Sequence, residues 1–165
     1  MKKICFIFII LGLFIFIGCG GSESEDCTTI DGYTWSPKSS SEMSWNDAVS
    51  YCDNLTVCRY FDWHLPTISE LRTLVKNCYA TETGGSCSVS DSCLSSECRT
   101  YSCFGCDNDI SGGHSKLGDT GWFWSSFIIS DYTDQVWCVN FSDGHVGYSL
   151  NKTTLNNVRC VRNAD

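Results

Sequence analysis

The ten residues Asp62-Trp63-His64-Leu65-Pro66-Thr67-Ile68-Ser69-Glu70-Leu71 mark a change from extended chain to helix. Pro66 disfavours helical geometry in the residue before it, which keeps the incoming chain extended. Thr67 and Glu70 form a T-x-x-E capping box, in which each side chain accepts a hydrogen bond from a backbone N–H that the first turn leaves free. The stretch therefore predicts a helix over about residues 67–77. Its expected buried stripe consists of Ile68, Leu71, Leu74 and Val75.

A second helix is predicted upstream of this stretch. Ser44 has the character of a helix N-cap, and an acidic residue follows three positions later. Apolar residues then recur at helical spacing on one face, at Trp45, Ala48, Val49, Cys52 and Leu55. Before this helix, the turn signal Asp31-Gly32 leads into a short predicted strand over residues 33–35.

The second half of the chain predicts a meander of β-strands. Residues 122–127 are rich in aromatic strand formers, and residues 135–141 and 145–150 alternate around Ser142-Asp143-Gly144, a hairpin signal. A last strand is expected over residues 157–162. The order of strand, helix, helix, long loop and strands predicts an α+β fold, with the two helices against one side of an antiparallel sheet.

A Cys-rich stretch separates the two halves. From residue 78 the composition shifts to Cys, Ser, Gly and Thr, with too few large apolar residues to build core. This predicts an inserted loop held by its own cross-links and extending to about residue 119. Of the 13 Cys, Cys5 and Cys19 lie in the N-terminal segment, and the other eleven predict a disulfide framework in an oxidising compartment. Because eleven is odd, one thiol is free, paired between chains or modified.

The N-terminus has the form of an export signal. Residues 1–18 combine the basic start Lys2-Lys3 with an apolar run over residues 4–17, which spans about 21 Å as a helix against a hydrocarbon core of roughly 30 Å. Phe16-Ile17-Gly18-Cys19 resembles the bacterial lipobox, so Cys19 is the predicted lipidation site. The alternative is an ordinary signal peptide with a chance Cys.

These features predict a location for the rest of the chain. Residues 19–32 are expected to form a flexible acidic tether, and residues 33–165 to form one domain in the bacterial cell envelope. A lipid anchor would hold that domain at the outer membrane or the cell surface.

Charge limits the expected partners. The formal net charge is −8, and removal of the leader with its two Lys leaves it near −10. Such a surface repels nucleic acid, other polyanions and anionic lipid headgroups. We therefore expect neutral or cationic partners.

One segment of the Cys-rich loop suggests calcium. Residues 107–112 read Asp-Asn-Asp-Ile-Ser-Gly, the first half of a loop in which alternate side-chain oxygens bind this cation. Asp119 lies close to the position of the closing acidic ligand. The calcium candidates are thus Asp107, Asp109, Ser111 and Asp119, and a solvated turn is the alternative.

Other patterns favour binding over catalysis. Trp45-Asn46-Asp47 spells a motif of sugar-binding lectins, but it begins a helix, so we interpret it as part of a helix cap. No nucleophile with a base and no recognisable carboxylate pair is present, so no enzyme is predicted. An exposed aromatic platform for a sugar or peptide has five candidates, with burial in the core as the alternative: Tyr101, Phe104, Trp122, Tyr132 and Tyr148.

Five ordered motifs resemble the C-terminal domain of the Legionella collagen-like adhesin family, the Lcl C-terminal domain. They lie at residues 44–55, 62–71, 124–126, 137–144 and 158–162. The resemblance implies a C-type-lectin-like fold, related to that of formylglycine-generating enzymes, and a disulfide between Cys52 and Cys160. The family usually has Arg at the position of His64, so a salt bridge made there becomes pH-dependent or absent in this chain.

Together these observations predict an exported, lipid-anchored, non-catalytic binding or adhesion module for a glycan or protein. One alternative is a structural or self-associating disulfide-rich envelope protein, which the odd Cys count suggests. The other is a metal-dependent enzyme, which the implied fold kinship suggests, although no motif of those copper enzymes surrounds any Cys here.

Overall fold

A computed structural model describes residues 26–106, 113–149 and 151–165. Within these residues the predicted α+β class is confirmed, with two α-helices and two antiparallel three-stranded sheets. The helices are α1 (Trp45–Asp53) and α2 (Ile68–Arg72). The strands are β1 (Thr28–Ile30), β2 (Tyr33–Trp35), β3 (Trp122–Ile129), β4 (Tyr132–Asn140), β5 (His145–Ser149) and β6 (Val161–Asn163).

The smaller sheet, in the order β1-β2-β6, brings the two ends of the domain together. Asp31 and Gly32 both have positive φ, 51° and 82°, and they form the tight turn between β1 and β2. Tyr33 pairs with Asn163, and Trp35 pairs with Val161. Residues 28–30, which the sequence suggested as tether, form β1, so ordered structure begins before residue 33.

The larger sheet, in the order β3-β4-β5, is buried on both faces. On one face Trp124 and Cys138 pack in a cluster with Ala48 of α1. On the other face Phe123 and Trp137 pack in a cluster that also contains residues of α2. The helices were expected on one side of a single sheet. Instead they lie on opposite faces of this sheet, because β4 is apolar on both of its sides.

The capping box that opens α2 is present as predicted. Thr67 Oγ1 accepts the Glu70 backbone N–H at 3.1 Å, and Glu70 Oε2 accepts the Thr67 backbone N–H at 2.8 Å. The helix ends at Arg72, five residues earlier than expected, because the next backbone N–H groups donate three residues back in a tighter turn. All members of the predicted stripe are nevertheless buried: Ile68, Leu71, Leu74 and Val75.

The Cys-rich insertion, residues 78–106, is closed by three nested disulfides. Cys78 bonds Cys106, Cys87 bonds Cys103 inside that loop, and Cys93 bonds Cys98 inside both. The sequence suggested that this segment has too few large residues to contribute core, and this expectation was wrong. Val89 and the sulfur atoms of several of these Cys are buried in the core cluster beneath α2, because half-cystines pack as small apolar groups.

The insertion follows the full length of β4. At one end the carbonyl of Leu94 accepts the Ser130 backbone N–H at 3.0 Å, in the turn before β4. At the other end the Cys106 backbone N–H donates to the carbonyl of Asp143 at 2.7 Å, in the turn after β4. The insertion thereby packs on the same face of the sheet as α2 and covers the part of that face that α2 does not reach.

Arg72 holds the first part of the insertion in place. The side chain is buried, and its guanidinium donates to the carbonyls of Thr81 and Glu82 at 2.9 Å each and also to that of Val89. Burial lowers the pKa of Arg72. One cation thus satisfies three backbone acceptors of a segment that has little regular structure of its own.

Two further disulfides join distant parts of the chain. Cys52 of α1 and Cys160 lie with their sulfurs 2.07 Å apart, which is the pair that the family resemblance implies. Cys27 bonds Cys58. Among the Cys that the structure describes, Cys138 alone forms no disulfide, and it is fully buried, which leaves its thiol inaccessible to a second chain. No helix in the described ranges is both long enough and apolar enough to cross a membrane.

Candidate functional site

Aromatic side chains and one cation meet where the Cys-rich insertion crosses the edge strand β5. Three of these residues come from the insertion, one from the start of β3 and two from β5. We call this group the seam cluster; it consists of Arg99, Tyr101, Phe104, Trp122, His145 and Tyr148.

The insertion residues of the seam cluster are held rigidly. A 3₁₀ turn over Tyr101–Cys103 lies against β5, and Cys103 is bonded to Cys87. Gly105 then has φ 84°, and a Cβ at this position would lie 2.6 Å from the carbonyl oxygen of Asp143. Only glycine allows this close approach. The exposed rings of the insertion therefore sit on a backbone fixed by a disulfide and by the β4–β5 turn.

The rings form a connected row across the seam. The ring centroid of His145 lies 5.5 Å from that of Phe104 and 5.3 Å from that of Trp122. Tyr101 extends the row, 5.7 Å from Phe104. Gly147 makes the contact between Trp122 and His145 possible, because a Cβ there would lie 3.1 Å from an atom of each ring.

Arg99 fixes the orientation of this row. Its guanidinium carbon lies 4.5 Å from the Phe104 ring centroid and 5.0 Å from that of Tyr148, both cation–π distances. Its Nη2 donates to His145 Nε2 at 3.0 Å. Burial lowers the pKa of His145, and the Arg99 charge lowers it further, so the imidazole is neutral and accepts at Nε2. No carboxylate of the described residues pairs with Arg99.

The outer part of the seam cluster is open to solvent. Tyr101 is 90% exposed and Phe104 is 48% exposed, whereas the other members are partly buried. A flat apolar surface next to hydrogen-bonding edges can stack on a ligand and also fix its orientation. The arrangement is suited to binding, and it presents no nucleophile with a general base.

A cavity of about 230 Å³ adjoins the seam cluster. Trp122 and Tyr148 belong to both, and the other lining residues are Cys138, Ser149, Thr154 and Asn156. Asn156 is only 6% exposed, and its Nδ2 has a single weak side-chain partner, Cys138 Sγ at 3.7 Å. Burial raises the pKa of the Cys138 thiol, which keeps it protonated and unreactive.

Four of the five aromatic residues proposed from sequence as a platform lie in the seam cluster. The fifth, Tyr132, is 49% exposed at the start of β4 and makes no ring contact with the cluster. Sequence reasoning missed Arg99 and His145. The only signal for them was their place, one inside the Cys-rich segment and the other directly after the hairpin turn.

The calcium candidates are not brought together in the described part of the chain. Asp119 is buried, and its carboxylate accepts from Arg159 Nε at 2.7 Å and from Nη2 at 2.9 Å. Asp107, Asp109 and Ser111 lie outside the described residues. Within the described ranges no group of three or more metal-binding side chains is close enough to hold an ion. Calcium binding stays a prediction.

The predicted signal peptide of residues 1–18, the predicted lipidation site Cys19 and the first half of the predicted acidic tether, residues 19–25, also lie outside the described residues. The W-N-D motif is placed as a helix cap, as interpreted: Ser44 accepts the backbone N–H of Asp47 at the start of α1.

His64 lies where the resemblance implies an altered salt bridge. Its Nε2 is 3.1 Å from Glu70 Oε2 and 3.2 Å from Oε1, so the imidazole contacts the carboxylate of the capping box. The hydrogen bond to Glu70 raises the pKa of His64. Burial raises the pKa of Glu70, but hydrogen bonds from His64 and the Thr67 backbone lower it by more. The contact is thus an ion pair whose strength depends on pH.

Comparison with known proteins points to one family. The family model described as the Lcl C-terminal domain matches residues 26–162. No curated protein matches this chain. Among solved structures, the crystal structure of botrocetin is similar with a TM-score of 0.38 and 13% identity, over 84% of this chain and 97% of that one.

Proposed function

Since the chain belongs to the Lcl C-terminal domain family, we propose that it is an adhesion module of the cell surface that binds a glycan through the seam cluster. The family and the disulfide-rich domain support an extracellular or surface location. The proposal assigns the chain no catalytic role.

One observation carries the choice of site: two large rings, Tyr101 and Phe104, stand in solvent on a backbone that a disulfide and a hairpin turn hold rigid. Rings on a fixed backbone bind at lower entropic cost, because little loop freedom is left to lose. Phe104 contacts His145, and His145 contacts Trp122, so the aromatic surface continues across the seam. Surfaces of this kind bind ligands in other proteins.

A glycan fits this surface better than a peptide helix or a nucleic acid. One face of a pyranose ring presents C–H groups that stack on an aromatic ring, while its hydroxyl groups reach polar edges beside that ring. The net charge of the chain, −8, opposes nucleic acid. The cluster is a narrow row of rings, whereas a helix needs a long apolar groove.

The test uses the purified chain on a glycan array beside a protein array. The variant Tyr101→Ala with Phe104→Ala is expected to lose about ten-fold or more in affinity for its best glycan, as hot-spot aromatics do. The matched control is Tyr79→Ala, since Tyr79 is 83% exposed and lies outside the seam cluster. If the seam-cluster variant and Tyr79→Ala lose affinity equally, the seam cluster is not the binding site. If the chain binds only on the protein array, the proposed glycan ligand is wrong.

We also propose that Cys19 carries a lipid anchor. Cys19→Ala removes the thiol that would carry the acyl chains, and lasting membrane attachment depends on those chains. The change is therefore expected to move the chain from the membrane fraction to the soluble fraction of an expressing bacterium. An unchanged membrane fraction would show that another feature holds the protein there.

A further inference from the structure

We propose that the cavity beside Trp122 takes a single terminal neutral sugar, so that the module recognises the end of a glycan chain and the seam cluster binds the residues that follow. This inference rests on the proposed glycan-binding function and adds a specific subsite to it. The cavity is the one lined by Trp122, Cys138, Tyr148, Ser149, Thr154 and Asn156.

The size of the cavity sets the size of its occupant. At about 230 Å³ it lies below the roughly 300–1,000 Å³ of a pocket for a drug-sized ligand. It has room for one pyranose ring and not for a disaccharide. It opens beside the seam cluster, because Trp122 and Tyr148 line both. One ring can therefore enter while the rest of the chain remains outside.

The lining has the two surfaces that a sugar requires. Trp122 and Tyr148 supply aromatic walls, against which C–H groups of the pyranose can pack. Ser149, Thr154 and Asn156 supply two hydroxyl groups and an amide. The Ser149 hydroxyl donates to the Asn151 carbonyl at 3.2 Å and can still accept, while the Thr154 hydroxyl and the Asn156 amide can both donate and accept. Sugar hydroxyl groups also donate and accept, so this set matches them in both directions.

Asn156 gives an independent indication that a polar ligand belongs here. Its side chain is more than nine-tenths buried and lines the cavity, yet the one hydrogen bond that its amide makes among the described residues is the weak one to Cys138 Sγ, at 3.7 Å. A thiol sulfur is a weak acceptor, so the amide keeps capacity for a stronger hydrogen bond. A sugar hydroxyl in the cavity would supply one.

The charge of the lining excludes an anionic sugar. No lining residue carries a charge, and the chain as a whole is acidic. Arg99 lies beside the cavity but does not line it: its guanidinium stacks on Phe104 and Tyr148, its Nη2 donates to His145, and its Nε is buried. A uronic acid or sulfated sugar would lose its hydration without gaining a partner cation, so a neutral sugar is favoured.

The experiment measures binding of single methyl glycosides to the purified chain by ligand-observed NMR. The neutral probes are the methyl glycosides of galactose, glucose, mannose, fucose and N-acetylglucosamine, and the charged probe is that of glucuronic acid. At least one neutral probe is expected to bind saturably and more tightly than the glucuronide. Tighter binding of the glucuronide, or binding of no neutral probe, would overturn the subsite.

Two neighbouring residues provide matched variants. Thr154 lines the cavity, whereas Thr153 does not, and both are exposed in the same turn, so neither change to Val threatens the fold. Thr154→Val is expected to weaken the best neutral probe about five-fold, the effect of one lost hydrogen bond, while Thr153→Val leaves affinity unchanged. Equal effects of the two changes would place the sugar elsewhere.

The outcomes separate the two proposals. If array binding falls with Tyr101→Ala and Phe104→Ala but Thr154→Val has no effect on it or on the methyl glycosides, the seam cluster stands and the terminal-sugar subsite is rejected. If neither the array nor any methyl glycoside shows binding, both proposals are rejected.

Discussion

At the scale of single residues, His64 makes a contact whose strength depends on pH. Its imidazole contacts the Glu70 carboxylate, and Glu70 also caps α2 through the Thr67 backbone N–H. The resemblance implies that relatives usually carry a permanently charged Arg at this position. Here the partner of Glu70 gains and loses its charge near neutral pH.

This contact predicts a pH-dependent stability. The raised pKa of His64 means that its charge adds stability that is fully present below the unfolded-state pKa, about 6.5, and is lost as pH rises through the folded-state pKa. The lowered pKa of Glu70 acts in the opposite sense, so its share is lost as pH falls through its own folded-state pKa. The ion pair thus stabilises the fold between those two folded-state pKa values.

Urea unfolding of His64→Gln tests this prediction. At about pH 5.5 the wild type is expected to be more stable than the variant by about 0.2–1 kcal/mol, the range for partly exposed pairs, and this difference should shrink by about pH 8. His64→Arg is the control, because its charge does not change over this range. A difference between wild type and His64→Gln that is the same at both pH values would contradict the prediction.

Single residues were predictable where their partners are near in sequence. Thr67 and Glu70 lie three apart, so helix geometry alone brings them together. Arg99 and His145 were not predictable, because 46 residues separate them and they meet only where the disulfides place the insertion against β5. No spacing in the sequence carries that information.

At the scale of elements, α2 shows that a pattern of buried side chains does not determine where a helix ends. The apolar spacing predicted a helix to residue 77, and the predicted stripe is buried, but the helix ends at Arg72. Val75 then pairs with Ser115 in an isolated bridge. A tightened turn keeps the side-chain spacing of a helix for a few residues, so the pattern could not distinguish the two.

Arg72 links these two elements, and its removal should be costly. Arg72→Met takes away donors from the carbonyls of Thr81, Glu82 and Val89. The Glu82 carbonyl still accepts the Gly85 backbone N–H at 2.9 Å, so the carbonyls of Thr81 and Val89 are the two that lose their partner. Each buried acceptor left without a partner costs about 1–3 kcal/mol, so we expect the free energy of unfolding to fall by about 2 kcal/mol or more.

Chemical denaturation measures this change, with Arg59→Met as the matched control. Arg59 is exposed, so the same replacement there should shift stability by no more than about 0.5 kcal/mol. Similar losses in both variants would mean that Arg72 does not anchor the insertion. We also expect Arg72→Met to weaken glycan binding, because the insertion carries half of the seam cluster.

At the scale of the whole molecule, the sequence predicted the α+β class and the order of elements but not how the layers stack. The continuous apolar run Val136-Trp137-Cys138-Val139 in β4 is typical of a strand buried on both faces. We interpreted it as one half of an alternating hairpin, which placed both helices on one side. The face that packs against α2 is covered in part by the insertion. The position of the insertion depends on its disulfides, and their pairing cannot be deduced from the sequence.

The disulfide between Cys52 and Cys160 should be the strongest single constraint on the domain. It joins residues 108 apart, and closure of a loop of that size is worth about 4.7 kcal/mol in the chain-entropy model, with about 2–5 kcal/mol usual on removal. We expect the double change to Ala to lower the free energy of unfolding within this range, measured by thermal and urea unfolding.

The control for this change is the removal of the disulfide between Cys93 and Cys98, which are only five residues apart. A short loop restricts the unfolded chain less, so its loss should destabilise the domain less. A larger effect from the short loop would show that strain or packing, and not loop closure, determines the stability that each disulfide gives.

The nested arrangement of the disulfides has a consequence for survival outside the cell, where proteases are abundant. A single backbone cut anywhere between Cys52 and Cys160 leaves both fragments covalently joined. A cut between Cys93 and Cys98 leaves them joined by four bonds, because that segment also lies inside the three loops closed by Cys87–Cys103, Cys78–Cys106 and Cys52–Cys160. A nicked chain would therefore migrate as one species until a reductant is added, and it would keep its exposed rings in place.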